Sequence, residues 1–501
     1  MKDLGTVDLL VIGGGINGAG IARDAVGRGL SVVLCEKGDL AEGTSSRSGK
    51  LVHGGLRYLE YYEFRLVREA LIEREVLLKA APHIIWPMRF VLPHSPEQRP
   101  AWLVRLGLFL YDHLGGRQKL PGCRRIDLRR EPEGAIIKDE FGLAFEYSDC
   151  WVDDSRLVVL NALDARERGA TILTRTAATS ARRVDGFWEV DLGEPQNSSG
   201  AAYRLRARAI VNAAGPWVED VIGNVTRLNS RRRVRLVKGS HIVVPKFWQG
   251  PQAYLFQNHD KRVIFVNPYE DGLCLIGTTD VPYEGAAEDV AIDDGEVDYL
   301  LAAVNRYTTR TLTKGEICHA FSGVRPLYDD QAENPSAVTR DYVFDTDGGN
   351  DRPLLLSVFG GKITTFRKLA EHAMNELERT FPKARKPWTA IAPLPGGDIP
   401  DADFDSFAAD LGLRHGWLPA PLARHYARLY GTRSDVVLRS ARSMDDLGRH
   451  FGGLLYEREV QYLRDVEWAA TAEDILQRRT KHGLYLDARG SAALEQWLQA
   501  A

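Results

Sequence analysis

The sequence predicts a mixed α/β and α+β protein of several domains: a β-α-β nucleotide-binding domain, an antiparallel sheet domain and a helical C-terminal domain. Three observations carry this. A branched apolar run meets a glycine triplet and a small-residue helix in "VDLLVIGGGINGAGIARDAVGRGLSVVLCE"; four strand-like runs follow one another between about Arg233 and Val281; and after Pro387 the pattern turns helical.

Val7 to Ile12 has the pattern of a strand buried on both faces. A helix from Asn17 to Arg28 stops at Gly29, and Ser31 to Glu36 reads as a second buried strand. Between Tyr58 and Leu78, the residues Phe64, Val67, Leu71 and Leu78 recur at helical spacing until Pro82 ends the pattern. "ATILTRTAATSARRVDGFWEVDL" alternates across an Asp185-Gly186 turn, the mark of antiparallel strands. "AIVNAAGPW" is a further buried strand, and "RLVKGSHIVVP", "QAYLFQN", "RVIFVNPY" and "DGLCLIGTTDV" build a separate sheet. Beyond the "PLPGGDIP" linker come helical segments at Leu422 to Tyr430, Glu457 to Ala470 and Ala492 to Leu498.

At 501 residues the chain has room for two or three packed units. Its 65 basic and 68 acidic side chains leave a formal net charge of -3, so no overall positive field exists to bind nucleic acid. "RRRVR" at 231–235 reads accordingly as a solvated loop. Five cysteines without a C-x-x-C pair argue against a disulfide framework or a metal cluster and fit a reducing cytoplasm; Cys35 reads as a core residue. The first residues lack the pattern of a secretory signal, and no run approaches the roughly 18 to 20 apolar residues of a spanning helix.

Gly13-x-Gly15-x-x-Gly18 falls between the first strand and helix, with Glu36 ending the next strand. Gly13 permits the tight turn, Gly15 lets amides approach a pyrophosphate, Gly18 allows close packing, and Glu36 accepts from a ribose. This order points to a dinucleotide, and leaves NAD and FAD open. The next segment, "KGDLAEGTSSRSGKLVHGGLRYLE", crowds Thr44, Ser45, Ser46 and Ser48 beside Lys50, His53 and paired glycines. It reads either as a wrap for the phosphates and ring edges of a long cofactor or as a serine-rich surface loop.

The glycine motif, "TSSRSGKLVHGGLRYLEYYEFRLVREAL", "FEYSDCWVDDSRLV", "VNAAGPWV", "KGSHIVVP", "IGTTDV", "SGVRPL" and "SVFGGKITTFRKLAEHA" together closely resemble the FAD-dependent glycerol-3-phosphate dehydrogenases of the aerobic, respiratory kind. The likeness implies a flavoprotein of the D-amino-acid-oxidase-like superfamily. Its Rossmann-like FAD domain of the glutathione-reductase type would comprise 1–82, 145–225 and 320–387, its substrate domain 83–144 and 226–319, and its helical domain 388–501. The resemblance further implies oxidation of glycerol 3-phosphate to dihydroxyacetone phosphate, electron transfer to a membrane quinone, and a dimer. Related amine or amino-acid oxidases that use oxygen, and a non-catalytic flavin-binding module, are the alternatives.

Carried over by motif, Gly13, Gly15, Gly18 and Glu36 would hold the ADP half of FAD. Thr44, Ser45, Ser46, Lys50 and Leu51 would follow the pyrophosphate to the ring, Ala178 would meet the adenine side, and Ala214 and Gly215 the cofactor's edge. Gly361, Lys362, Ile363 and Thr364 match a second flavin contact; Gly49 stands where many relatives have serine. A phosphomonoester needs cations, for which the likeness selects Arg57, Arg340 and Lys362, with Tyr58 and Thr278 or Thr279 as neutral donors. His241 has the chemistry to accept the hydroxyl proton, though a packing histidine reads equally well; Arg325 suits a developing alkoxide; Lys362 can also place charge near the flavin. In "RPAWLVRLGLFLYDHLGGRQK", 99–119, Trp102, Leu103, Leu106, Phe109 and Leu110 share one side of a helix while Val104, Leu108 and Tyr111 lie opposite. The segment reads as a membrane-surface helix or as a buried one, and the family's peripheral attachment to the inner membrane face favours the first.

Overall fold

The strand β1 (Lys2–Ile12) enters the interior at Val7 and is buried from Leu9 onward, because parallel neighbours and covering helices leave it no wet face. The computed structural model describes residues 1–95, 97–116, 119–194, 202–230, 232–329, 341–349 and 351–500. β1 lies between β2 (Val32–Cys35) and Tyr203–Asn212, both parallel to it; Thr171–Leu173 extends the sheet past β2, and Arg352–Phe359 continues it parallel to Tyr203–Asn212. Val343–Gly349 closes that edge antiparallel. Ala177–Val184 and Phe187–Gly193 form the expected hairpin, with Asp185 and Gly186 both at positive φ, and attach to Tyr203–Asn212.

Four helices recur below: α1 (Ile16–Gly27), α2 (Phe64–Ala80), α3 (Ala101–Leu114) and α4 (Asp154–Glu167). α1, α4 and Phe366–Glu376 cover one face of the parallel sheet and share its apolar core, which includes Leu9, Val11, Ala22, Val159 and Leu369.

A second sheet runs in the order Val281–Pro282, Val234–Pro245, Leu273–Gly277, Val263–Tyr269, Ala253–Gln257, Ile85–His94, Leu143–Val152, Leu51–Val52. All these neighbours are antiparallel except Ala253–Gln257 against Ile85–His94. His319–Tyr328 joins it along Val234–Pro245. The expected domain limits and the sheets therefore part company at three places: Leu51–Val52, Leu143–Val152 and His319–Tyr328, read wholly or mostly with the FAD domain, pair in the second sheet. Leu143–Val152 is buried along nearly its whole length, its polar Glu146, Ser148 and Asp149 included.

The C-terminal helices Ala420–Tyr430, Glu457–Glu467 and Ala488–Ala500 enclose a core of their own, and Phe404–Arg414 packs through Phe404 and Leu411 in a smaller cluster with Ala427. Among the described residues no helix is long and apolar enough to cross a membrane. α3 resolves its two apolar sides: Leu108 and Tyr111 are buried, whereas Trp102, Leu106 and Phe109 are 69%, 46% and 55% exposed.

Candidate active site

The glycine turn works by close approach. Gly13 has φ +112°, its N–H donates to the Cys35 carbonyl at 2.8 Å, and a Cβ there would lie 2.6 Å from the Ala213 carbonyl oxygen. A Cβ on Gly18 would come within 1.9 Å of the Gly13 oxygen, so α1 can sit this near β1 only without one. Gly15 caps α1 with no side-chain acceptor of its own and no acid follows in the first turn, so no charge within the helix offsets its positive end. Ser45 Oγ accepts from the Ile16 N–H at 3.0 Å. Glu36 ends the neighbouring strand, its carboxylate accepting from the Gly14 N–H at 2.6 Å and the Gly38 N–H at 2.8 Å; burial pushes its pKa up. Ala214 and Gly215 follow Tyr203–Asn212 and face this turn through Ala213, while Ala178 packs with the Cys35 cluster near the end of β2.

The segment after Glu36 and the distant glycine turn meet at the start of α1. Asn17 Nδ2 donates to the Gly360 carbonyl at 3.1 Å, and a Cβ on Gly361 would reach Asn17 at 2.9 Å. The His53 N–H donates to Thr364 Oγ1 at 3.2 Å, and Ile363 opens the Ile363–Thr365 turn. The Lys362 ammonium lies 4.0 Å from the centre of the Tyr58 ring. Arg57, half-buried beside Tyr58, has no ion pair among the described residues. Arg340 lies outside the described residues.

Lys50 and Thr44 are placed otherwise than expected. The buried Lys50 ammonium pairs with Asp154 Oδ1 at 2.8 Å and donates to the Ser46 carbonyl at 3.2 Å, and Thr44 Oγ1 donates to the Val324 carbonyl at 2.7 Å. These groups shape the segment. Leu51 is buried in its two-residue strand.

His241 stands on Val234–Pro245 opposite Gly277 on one side and Phe321 on the other, stacked on the Phe321 ring at 4.9 Å. A Cβ at Gly277 would fall 2.0 Å from its Cδ2, so that glycine makes room for the imidazole. A Cβ at Gly49 would sit 3.6 Å from Nε2, an ordinary contact, so nothing steric excludes the serine of relatives there. His241 is buried with no hydrogen-bond partner on Nδ1; burial and the charges of Arg325 and Lys50 lower its pKa to about 3, which keeps the ring neutral.

Arg325 donates to Asp280 Oδ1 at 2.6 Å and Thr278 Oγ1 at 3.0 Å, fixing the turn after Leu273–Gly277. Thr278 thus faces Arg325. Thr279 gives its hydroxyl proton to Glu296 at 2.6 Å and accepts from the Ser240 N–H at 2.9 Å, so its side chain is committed to the sheet. Phe265 pairs with Gly277 and meets the His53 ring edge-on at 6.1 Å, linking the His241 side to the His53–Thr364 side.

Sequence reasoning passed over Asn17, Asp154 and the buried set beneath Gly54. The Gly54 N–H donates to Tyr111 Oη at 2.7 Å, whose own proton goes to Asp149 at 2.8 Å; Arg74 pairs with Asp149 at 2.8 Å. The adjacent acids of "WVDDSRL" were the available signal, since an acid before an apolar run marks a helix start.

A helix start with no acid in its first turn, a ribose-type carboxylate and the unpartnered His241 Nδ1 fit a flavin dinucleotide. Chain comparison bears this out. A family model for FAD dependent oxidoreductases matches residues 8–367, and one for the C-terminal domain of alpha-glycerophosphate oxidase matches 388–501. The fold and site thus define an FAD-dependent oxidoreductase of the D-amino-acid-oxidase class, with FAD as cofactor. Over its full length the chain is 65% identical to a D-erythritol 1-phosphate dehydrogenase of Brucella abortus, of which it covers 99%. It is 52% identical to the aerobic glycerol-3-phosphate dehydrogenase of Escherichia coli, covering 98% of this chain and 97% of that protein. The FAD-complexed glycerol-3-phosphate dehydrogenase of Bacillus halodurans superposes with a TM-score of 0.75 at 27% identity, covering 99% of this chain and 94% of that one. Within the class, this chain belongs to the FAD-dependent glycerol-3-phosphate dehydrogenase family.

Proposed function

We propose that the chain oxidises a secondary alcohol of a short polyol phosphate and passes the electrons to a membrane quinone. The observation that supports the substrate class is the Lys362 ammonium over the Tyr58 ring, beside the turn at Gly361–Thr364, with Arg57 preceding Tyr58 in the chain. Two cations and a phenol suit a phosphomonoester, whose charge-assisted hydrogen bonds outweigh neutral ones. An amino-acid oxidase has less need of them.

Bound FAD supplies the hydride acceptor. In this reading Arg325 stabilises negative charge on the substrate oxygen, while His241, its pKa lowered to about 3, is a neutral ring and a weak base, so the proton acceptor is left unassigned. Lys362 serves the phosphate, and Arg340 joins it in this reading.

Glycerol 3-phosphate is the first substrate reading, carried by relatives at 52% and 54% identity. A second, D-erythritol 1-phosphate, is favoured by the 65% identity along the whole chain. Anaerobic stopped-flow mixing with each separates them: the true substrate bleaches the flavin band with the higher kcat/KM. Bleaching by neither, with bleaching by an amino acid, overturns the reading. The exposed Trp102, Leu106 and Phe109 support peripheral attachment of α3 to the cytoplasmic membrane face, where a quinone is reached.

A further inference from the structure

The described C-terminal residues deliver three buried cations toward the site just assembled. Asp474–Arg479 and the residues after it lie against the segment 39–50 and the start of α4. Arg479 grips Asp39 with both arms of its guanidinium, at 2.6 and 2.8 Å, and Arg478 Nε reaches the same carboxylate at 2.7 Å. Lys481 donates to Asp153 at 2.8 Å and to Ser155 Oγ at 2.6 Å. Ser155 Oγ in turn reaches the Arg478 carbonyl at 2.7 Å, so the two contacts share one frame. All of Asp39, Asp153, Asp154, Arg478, Arg479 and Lys481 are buried.

What these cations hold is the cofactor segment at both ends. Asp39 opens it, two residues before the Ala41 N–H that donates to the Gly14 carbonyl of the glycine turn at 3.1 Å. At the far end Asp154, next to the Asp153 that Lys481 grips, takes Lys50 at 2.8 Å and the Ser48 hydroxyl at 2.7 Å. Between these anchors lie Ser45, bound to the N-terminus of α1, and Gly49, against His241. Burial raises the Asp153 pKa, and the Lys481 charge and hydrogen bond, with Lys50, outweigh it to leave the carboxyl below its ordinary range. Asp153 is therefore ionised near neutrality, and removing Lys481 leaves it as a buried charge without its closest partner.

We propose that Arg478, Arg479 and Lys481 are positioning residues for the FAD-binding segment, so that the C-terminal domain acts as a clamp on cofactor retention. The inference rests on FAD binding and is independent of the substrate. A clamp of this kind works through the segment: it sets where Ser45 and Gly49 stand and touches no reacting atom.

The test uses full-length holoenzyme and follows FAD release by the rise of free-flavin fluorescence, with the visible flavin band and far-UV circular dichroism recorded alongside. Lys481→Met is expected to release FAD at least about tenfold faster, with unchanged circular dichroism and a flavin band moved toward that of free FAD. Arg433→Gln is the control, because Arg433 joins the C-terminal domain to the other end of α4 through Glu167 at 2.8 Å without touching the segment. It is expected to retain FAD like the parent. Should Lys481→Met fail to fold, Arg478→Gln, which leaves Arg479 on Asp39, is expected to speed release by about threefold. Parent-like release in the folded Lys481→Met or, failing that, in Arg478→Gln overturns the proposal. Equal acceleration by Arg433→Gln does the same, because it shows general loosening of the domain.

Discussion

Replacing Trp102 and Phe109 together with glutamate tests what the outer face of α3 is for. The two side chains are 69% and 55% exposed. Taking ~200 Å² for each aromatic side chain, they present roughly 250 Å² of apolar surface, or about 6 kcal/mol at ~25 cal/mol/Å² if fully withdrawn from water. Even if half of that surface enters the interfacial region, the loss of about 3 kcal/mol weakens membrane partitioning more than roughly a hundredfold. The fold is expected to survive, because Leu108 and Tyr111 hold the inner face of α3 in the core. The assay is co-sedimentation with phospholipid vesicles, paired with activity toward a soluble dye acceptor. The double variant is expected to stay in the supernatant with dye-linked activity kept. Undiminished sedimentation refutes the docking role, and loss of folding refutes the assignment of the outer face.

The remaining expectations concern the site and its histidines. A Cβ at Gly18 would lie 1.9 Å from the Gly13 oxygen, so Gly18→Ala must displace α1 at a cost of about 1–3 kcal/mol and is expected to yield protein depleted in FAD; a normally flavinated variant contradicts the close packing. With His241 held at about pKa 3, kcat/KM is expected to show no histidine limb between pH 5 and 7; an acid limb there that His241→Asn abolishes contradicts the buried, neutral ring. His83, His241 and His482 have folded pKa values near 3, 3 and 4, each lowered first by burial. Unfolded histidines titrate near about 6.5, so the unfolded chain binds more protons below that pH and stability falls as pH drops from about 6.5 toward 4, by up to ~4 kcal/mol per pH unit from the three. His83→Leu is expected to flatten the pH dependence of the urea midpoint by about a third of that slope. An unaltered slope refutes the assignment.

The parts of the fold legible in the sequence are those whose signal is local. Gly13, Gly15 and Gly18 mark a backbone approach that forbids side chains, and the strand-like runs between Arg233 and Val281 mark a separate sheet. α3 looked ambiguous on a helical wheel because both of its sides are apolar, one for the core and one for the outside. Other features depend on partners far away. A lysine among serines and glycines resembles a phosphate ligand, but the anion Lys50 meets is 104 residues on, at Asp154. The Arg479–Asp39 pair spans 440 residues, and no spacing rule connects them. Thr279 was read as a substrate donor from its motif, and only the three-dimensional neighbourhood reveals Glu296 taking its proton.

Anaerobic titration of the oxidised flavoprotein, with glycerol 3-phosphate and D-erythritol 1-phosphate in parallel, tests the central claim most directly. Stoichiometric bleaching of the flavin band by at least one of these phosphates is expected, lost when Arg57 and Lys362 are both replaced by methionine while FAD stays bound. A flavin left oxidised by both phosphates but reduced by an amino acid would contradict it.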